Sequence, residues 1–275
     1  QGRHRMGQPF NYRPARFVPQ RGAALPAAVL NSRHRKRRRA TSRLQALACG
    51  AAAIAVMFGA TSCSGSSSAS ATLPRSPAAD PFYRAPSDLA ALSHGEMIRS
   101  RPVSISAYGV SKLATVQTLL FTSTDPHGRP IAASGTVFTP HGAWTGRGTR
   151  PMLAVQPPYD STGAQCMPSY VMRFAGEQPN LDVNVVANLV REGREVLVTD
   201  YEGPRSLFGV GAQAGRIVVD GVTAVESSRL GGSGPDSPVE LWGYSGGGLA
   251  TAWAAELQPV YAPSLRLVGA AEGGV

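Results

Sequence analysis

The most informative segment of the sequence is Val239–Leu257, which reads VELWGYSGGGLATAWAAEL. Its first residues, Val239–Trp242, predict a strand, and Gly247–Leu257 predicts a helix. Between them, Gly243–Gly247 (GYSGG) matches the pattern G-x-S-x-G. A strand, a sharp turn and a helix in this order are typical of a nucleophile elbow, in which the serine hydroxyl is exposed at the end of a sheet. Ser245 is therefore the candidate nucleophile.

The glycines of this motif have a physical explanation. Side chains at Gly243 and Gly247 would collide across so sharp a turn. The amide of Gly246 opens the helix and faces a forming oxyanion, together with the positive end of the helix dipole. The alternative is a glycine-rich, phosphate-binding connection between a strand and a helix. Because neither G-x-G-x-x-G nor a Walker lysine accompanies the segment, the elbow is favoured, and neither a cofactor nor a metal is expected.

The chain from Asp80 onward alternates predicted strands and helices. The predicted strands are Leu113–Thr122, Ile131–Thr139, Met152–Val155, Glu195–Thr199 and Leu265–Ala270, and the other predicted helices are Asp182–Arg191 and Gly211–Ser227. A predicted turn, Asp125–Gly128, separates the first two strands. Strands that alternate with helices form βαβ units, so the sequence predicts an α/β fold with a mainly parallel sheet flanked by helices.

The basic character of the chain is confined to its beginning. The net charge is +10, yet 12 of the 27 lysines and arginines lie between Arg3 and Arg43, and no acidic residue precedes Asp80. The remainder holds 15 basic and 17 acidic residues and is close to neutral. A nucleic-acid-binding domain carries its basic residues on the fold itself, so no nucleic-acid partner is expected.

The first 63 residues resemble an export signal. Residues 1–43 form a basic leader that is expected to be disordered, and it includes the positive run Arg35–Arg39. Residues 44–63 contain the apolar run Ala46–Ala60, whose length of about 15 residues is short of the roughly 18–20 that span a bilayer. Ala60–Cys63 (ATSC) resembles a bacterial lipobox, in which the cysteine receives a lipid.

Two alternatives to lipidation at Cys63 stay open. Ala69–Ala71 (ASA) is a competing cleavage site, and the apolar run is also compatible with an uncleaved membrane anchor. The expected location is therefore either secreted or attached to the cell envelope as a lipoprotein. Residues 64–79 are rich in serine, alanine and proline and predict a flexible linker, so the folded domain is expected at residues 80–275.

A nucleophilic serine requires a histidine base and an orienting acid, which follow the serine in chain order in this kind of architecture. After Ser245 the sequence has Glu256 and Glu272 but no histidine. All five histidines precede Ser245; of these, His127 lies in the predicted turn and His141 in a loop, where both are expected to be exposed to solvent. The 275 residues therefore contain the predicted nucleophile without its base.

From Asp80 to Val275 the chain resembles the secretory lipase family of α/β-hydrolases. The matching segments are Asp80–Tyr83, His127–Thr136, Cys166–Ser169, Asp200–Gly203, Leu241–Gly248, Tyr261–Pro263 and Gly269–Ala271. Together they are more specific than G-x-S-x-G alone. The resemblance implies triacylglycerol lipase or carboxylesterase activity on a lipid or small ester. It also implies that residues 80–275 are the N-terminal part of the domain, with the acid, the histidine and a lid beyond Val275.

The resemblance further assigns Asp160, in Tyr159–Ser161, to the oxyanion hole beside Gly246, and it implies that Cys166 is half of a disulfide. An ionised carboxylate cannot donate a hydrogen bond, so Asp160 must be protonated or use its backbone amide. The alternative is that Asp160 is an ordinary carboxylate of a surface loop. Two other functions stay open: an acyltransferase with the same elbow, and a non-catalytic lipoprotein that uses the hydrolase scaffold for binding.

Overall fold

The computed structural model of this chain describes residues 75–174, 181–228 and 230–275. The predicted leader (1–43), the signal segment (44–63) with Cys63, and most of the predicted linker (64–79) lie outside the described residues, so those interpretations stay predictions. The last residues assigned to the linker form a turn, in which the amides of Ala79 and Asp80 both donate to the carbonyl of Ser76 at 2.9 Å.

A seven-stranded sheet forms the centre of the fold. Its strands are β1 (Met97–Pro102), β2 (Ala114–Thr124), β3 (Pro130–Pro140), β4 (Met152–Gln156), β5 (Glu195–Thr199), β6 (Val239–Tyr244) and β7 (Leu267–Gly273). Their order across the sheet is β1-β2-β3-β5-β4-β6-β7. Strands β5, β4, β6 and β7 are mutually parallel, and β2 runs in the same direction, whereas β1 and β3 run in the opposite one.

Helices lie on both faces of this sheet. They are α1 (Val110–Leu113), α2 (Pro168–Val171), α3 (Leu181–Arg191), α4 (Gly211–Ser228) and α5 (Gly246–Tyr261). Short 3-10 turns occupy Pro81–Tyr83, Leu89–Ala91, Ala107–Gly109, Ala164–Cys166 and Met172–Phe174. In the part of the chain that the structure describes, no helix combines the length and the apolar character needed to cross a membrane.

Alternate residues of β4 point into two separate cores, because successive side chains of a strand face opposite sides. Met152 and Ala154 belong to the core formed with α4 and α5, whereas Leu153 and Val155 belong to the core formed with α3. All five residues of β4 are consequently buried. The predicted α/β class, with a mostly parallel sheet between two helical layers, is confirmed.

Several elements differ from the sequence predictions, and three of the differences have a clear physical reason. Strand β1 was not predicted, because its residues (MIRSRP) include two arginines and only two strongly apolar side chains. Helix α5 begins at Gly246 and continues through Pro259 to Tyr261, beyond the predicted end at Leu257. Strand β7 begins at Leu267 instead of Leu265, because Leu265 lies in the preceding turn and is buried in the core from there.

Candidate active site

Ser245 lies between the last residue of β6 and the first residue of α5. Its backbone has φ 56° and ψ −125°, a combination that residues with a side chain rarely adopt. Two hydrogen bonds hold this conformation: the amide of Ser245 donates to the carbonyl of Gly273 at 2.8 Å, and its carbonyl accepts from the amide of Leu249 at 3.0 Å. The predicted strand, turn and helix are therefore present, with Ser245 at the turn.

The glycines around Ser245 are required by close approach of the backbone. A Cβ atom on Gly243 would lie 2.2 Å from the carbonyl oxygen of Gly247. One on Gly247 would lie 1.9 Å from the carbonyl oxygen of Gln156, at the end of β4. Both distances are far below a normal carbon–oxygen contact. The predicted collision across the turn is present at Gly243, whereas at Gly247 a side chain would collide with the backbone of β4.

Asp160 lies directly beside Ser245, in the loop that follows β4. The hydroxyl of Ser245 donates to Asp160 Oδ2 at 3.4 Å. A Cβ atom on Gly246 would lie only 1.8 Å from Asp160 Oδ1, so the carboxyl group occupies the space that a side chain at position 246 would need. The structure therefore brings together the three residues predicted for the site, Ser245, Gly246 and Asp160.

The loop that carries Asp160 is fixed by the residues that follow β5. The hydroxyl of Tyr201 donates to the carbonyl of Pro157 at 2.8 Å. The amide of Glu202 donates to the hydroxyl of Tyr159 at 2.9 Å, and the amide of Ser161 donates to Glu202 Oε1 at 3.3 Å. No role was predicted for Tyr201 and Glu202 from the sequence. Their position directly after the buried strand β5 could have indicated a role near the site. Parallel strands end at the same edge of the sheet, and the loop of Asp160 follows the parallel strand β4.

Acidic and phenolic groups dominate the electrostatics of this loop. Burial raises the pKa of Glu202 to about 7; the hydrogen bond from the Ser161 amide opposes that rise, and the negative charge of Asp160 adds to it. Burial also raises the pKa of Tyr201 and of Tyr159, so both phenols stay neutral at physiological pH. A negative charge next to Ser245 would oppose an oxyanion at that position.

The described histidines lie away from Ser245. His94 Nδ1 lies 2.9 Å from Asp220 Oδ1 on α4, and His127 and His141 are exposed, as expected from their loop positions. No hydrogen bond joins any of these three imidazoles to Ser245. Within residues 75–174, 181–228 and 230–275, no group of three or more histidine, cysteine, aspartate or glutamate side chains is placed to hold a metal ion.

Cys166 lies in the 3-10 turn Ala164–Cys166. Its thiol is free and partly exposed, and it is the only cysteine among the described residues. The disulfide implied by the resemblance therefore has no described partner and stays a prediction.

The strand order, the helices on both sheet faces and a strained serine between strand and helix define an α/β-hydrolase. Comparison with known proteins gives the family. A family model described as "Secretory lipase" matches residues 171–275. Candida antarctica lipase A superposes with a TM-score of 0.66 at 31% identity, covering 73% of this chain and 47% of that one. The chain belongs to the secretory lipase family.

Two curated relatives illustrate the range of the family. Lipase 4 of Candida albicans is 38% identical over 74% of this chain and 45% of its own length. A protein of Mycobacterium tuberculosis named "Probable inactive lipase" is also 38% identical, over 73% of this chain and 46% of its own length. The chain therefore spans somewhat less than half the length of these relatives.

Proposed function

We propose that the whole protein is an exported carboxylic-ester hydrolase that acts on lipids or small esters through an acyl-enzyme on Ser245. The observation that supports this most strongly is the strained turn at Ser245 with the Asp160 carboxyl 3.4 Å from its hydroxyl. The export route of the proposal, either free secretion or a lipid anchor on Cys63, concerns residues outside the described part.

In the proposed reaction, Ser245 Oγ attacks the carbonyl carbon of the ester and its proton passes to a histidine base. The carbonyl oxygen becomes an oxyanion, which the amide of Gly246 at the N-terminus of α5 stabilises together with Asp160. Collapse of this intermediate expels the alcohol, which takes the proton from the histidine. Water then attacks the acyl-serine, and the carboxylic acid and free Ser245 are released.

Asp160 contributes to this scheme only as a hydrogen-bond donor. Its carboxyl must carry a proton, or its backbone amide must face the oxyanion, because a carboxylate only accepts. The described histidines do not contact Ser245, so we assign the base to another part of the whole protein.

The first prediction tests Ser245 in the whole protein. A fluorophosphonate probe is expected to label Ser245, and Ser245→Ala is expected to abolish both labelling and hydrolysis of p-nitrophenyl esters. The matched control is Ser227→Ala, because the Ser227 hydroxyl donates only within its own helix, to the carbonyl of Ala224 at 3.3 Å. Labelling at another serine, or unchanged turnover in Ser245→Ala, would contradict the proposal.

A non-catalytic role is the second candidate, and the relative named "Probable inactive lipase" favours it. In that case the scaffold binds a lipid or ester without turnover, and the whole protein fails to react with the fluorophosphonate. An acyltransferase would react with the probe but transfer its acyl group to an added alcohol in preference to water, which product analysis distinguishes.

A further inference from the structure

Three arginines are grouped around the turn between β2 and β3. The Arg129 guanidinium pairs with Asp125 Oδ2 at 2.7 Å, and Arg205 Nη2 lies 3.7 Å from the same oxygen. Arg216, on α4, donates to the backbone carbonyl of Asp125 at 2.8 Å. The three arginines come from three separate segments of the chain, and no step of the proposed reaction uses them.

This group carries more positive charge than its own acid neutralises. Asp125 is buried beneath the guanidinium groups and also accepts from the amides of His127 and Arg129. One carboxylate thus faces three guanidinium groups, and arginine stays charged in proteins. The side chains of Arg129 and Arg205 are 65% and 57% exposed, so the excess charge is available at the surface.

The acids on the neighbouring elements are engaged elsewhere. Asp220, on α4, is buried and is bonded to His94 at 2.9 Å and to the hydroxyl of Tyr261 at 3.0 Å. Glu96, just before β1, is exposed and accepts from the amide of Ser93 at 3.0 Å. Among the described residues, no ion pair joins either acid to the three arginines. The group therefore remains cationic in its surroundings.

The loop that carries Arg205 also exposes a large apolar side chain, because Phe208 is 56% exposed. The loop is closed by its own backbone: the amides of Leu207 and Phe208 donate to the carbonyls of Glu202 and Ser206 at 2.9 and 3.1 Å. One exposed apolar residue is ordinary by itself, but an aromatic ring beside several cations is typical of surfaces that bind membranes. We call Arg129, Arg205, Arg216 and Phe208 together the arginine surface.

The arginine surface lies at the edge of the sheet that carries Ser245. Strands β2, β5 and β6 run in the same direction, and at this edge they lead into the Asp125 turn, the Phe208 loop and Ser245. Three strands separate β2 from β6, so the arginines lie about 20 Å from Ser245 along the edge. Asp160 is exposed at the same edge but lies at the Ser245 end of that distance.

We propose that the arginine surface docks the protein on an anionic lipid membrane. Arg129 and Arg205 contact lipid phosphates, because the planar guanidinium matches the geometry of phosphate oxygens, and the half-buried Arg216 adds to the charge. The Phe208 ring enters the boundary between headgroups and acyl chains. Docking in this way brings the edge with Ser245 toward esters in the same membrane, and this consequence alone rests on the proposed ester hydrolysis.

The direct test places a tryptophan at position 208 of the whole protein. With vesicles of brominated phosphatidylcholine and phosphatidylglycerol, the fluorescence of Phe208→Trp is expected to be quenched beyond that of the wild type, whose three tryptophans give the background. The matched control is Val260→Trp. Val260 is strongly exposed at the end of α5, which begins at the edge of Ser245 and ends at the opposite edge, so no added quenching is expected.

The electrostatic part is tested by cosedimentation with vesicles of phosphatidylcholine, with and without phosphatidylglycerol. Arg205→Gln is expected to weaken binding to the anionic vesicles about fivefold, the effect of one charge close to a membrane, whereas Arg205→Lys keeps the charge and should retain most of the binding. The control Arg147→Gln changes an exposed arginine in the loop before β4, at the opposite edge. Residues 1–43 are basic too, but they are identical in all variants, so differences between variants report on the arginine surface.

Equal quenching of Phe208→Trp and Val260→Trp would overturn the inference, as would equal binding of Arg205→Gln and Arg147→Gln to anionic vesicles. Displacement from the vesicles by free glycerol phosphate would indicate an isolated phosphate site and would also overturn it. A loss of heparin binding in Arg205→Gln with unchanged vesicle binding would assign the surface to a soluble acidic polymer instead.

Circular dichroism checks that the variants fold; if Arg205→Gln does not, Phe208→Trp and Arg205→Lys decide the question. Fluorophosphonate labelling of Ser245 is independent of docking. Docking without labelling rejects only the proposed hydrolysis, whereas labelling without docking rejects only the membrane surface.

Discussion

Ser245 adopts a backbone conformation that is unfavourable by roughly 1–3 kcal/mol for a residue with a side chain. The surrounding structure offsets this, since Gly273 and Leu249 bond both its amide and its carbonyl. In this conformation the hydroxyl donates to Asp160 Oδ2 at 3.4 Å. A strained serine in this position favours a chemical role for the residue over a purely structural one.

The second prediction concerns Gly243 at the same turn. Gly243→Ala places a Cβ atom 2.2 Å from the carbonyl of Gly247, so the free energy of unfolding is expected to fall by about 1–3 kcal/mol. Gly269→Ala in β7 is the matched control, because a Cβ atom there meets nothing within 4 Å. Urea unfolding followed by circular dichroism measures both variants; equal stability of the two would mean that the crowding at Gly243 is absent.

At the residue scale, the conformation of the turn could be predicted because a local pattern encodes it. Ser245, Gly246 and the two flanking glycines follow from G-x-S-x-G between a strand and a helix. Asp160 came from family resemblance, since its approach to Ser245 depends on β4 and β6 being neighbours in the sheet. Glu202 was not assigned, because its importance arises from hydrogen bonds to a loop 41 positions away in the chain, which no local pattern encodes.

At the scale of elements, the hairpin of β2 and β3 depends on one aspartate. Asp125 Oδ1 accepts from the amides of His127 and Arg129 at 2.8 and 2.9 Å, and its Oδ2 accepts from the Arg129 guanidinium at 2.7 Å. These bonds close the turn and fix the register of two eleven-residue strands. The turn was predicted because aspartate, proline and glycine mark it in the sequence.

The third prediction follows from the charge of Asp125. Burial acts to raise its pKa, but the bonds from the Arg129 backbone and side chain and from His127 outweigh burial and lower the pKa to about 2. Because the folded-state pKa lies below the ordinary value of 3.8 for an aspartate, the stabilisation is complete above about pH 4 and is lost as the pH falls toward 2.

Asp125→Asn is therefore expected to lower the thermal unfolding midpoint at pH 6, and the difference from the wild type should shrink between pH 4 and pH 2. The control is Asp88→Asn, because Asp88 is exposed and its side chain caps nothing. Differential scanning calorimetry at a series of pH values measures the effect; a difference that is constant down to pH 2 would contradict it.

The boundaries that were predicted wrongly, the end of α5 and the start of β7, depend on tertiary contacts. Helix α5 was predicted to end at Leu257, but it continues through Pro259 to Tyr261. The hydroxyl of Tyr261 donates to Asp220 on α4 at 3.0 Å, and this contact between helices favours the extra turn. Leu265 was placed in a strand for its apolar character, although its burial comes from a turn packed on the core.

At the scale of the whole molecule, one side of the described fold is open to solvent. Strand β7 lies at the edge of the sheet, and most of its residues are exposed. Beside it, a groove of about 360 Å³ runs between α3 and the sheet and is lined largely by apolar residues, among them Leu189, Trp242 and Ala270. An unpaired edge and an apolar groove together favour association with other surfaces.

The last prediction concerns residues 64–275 produced on their own. They should show no ester turnover above background, because no described histidine contacts Ser245, and an oxyanion hole without a base leaves only about 10³–10⁴-fold acceleration over water. They should also bind a hydrophobic dye and elute as associated species in size-exclusion chromatography.

Val268→Lys is the informative variant here, since Val268 is 53% exposed on the edge strand and a lysine there opposes strand pairing. It should reduce association without restoring turnover, which separates the effect of the exposed edge on association from the effect of the histidine base on turnover. A monomeric fragment with full esterase turnover would contradict both parts of the prediction. In that event His94, His127 or His141 must act as the base, and alanine variants of the three would show which one approaches Ser245 in solution.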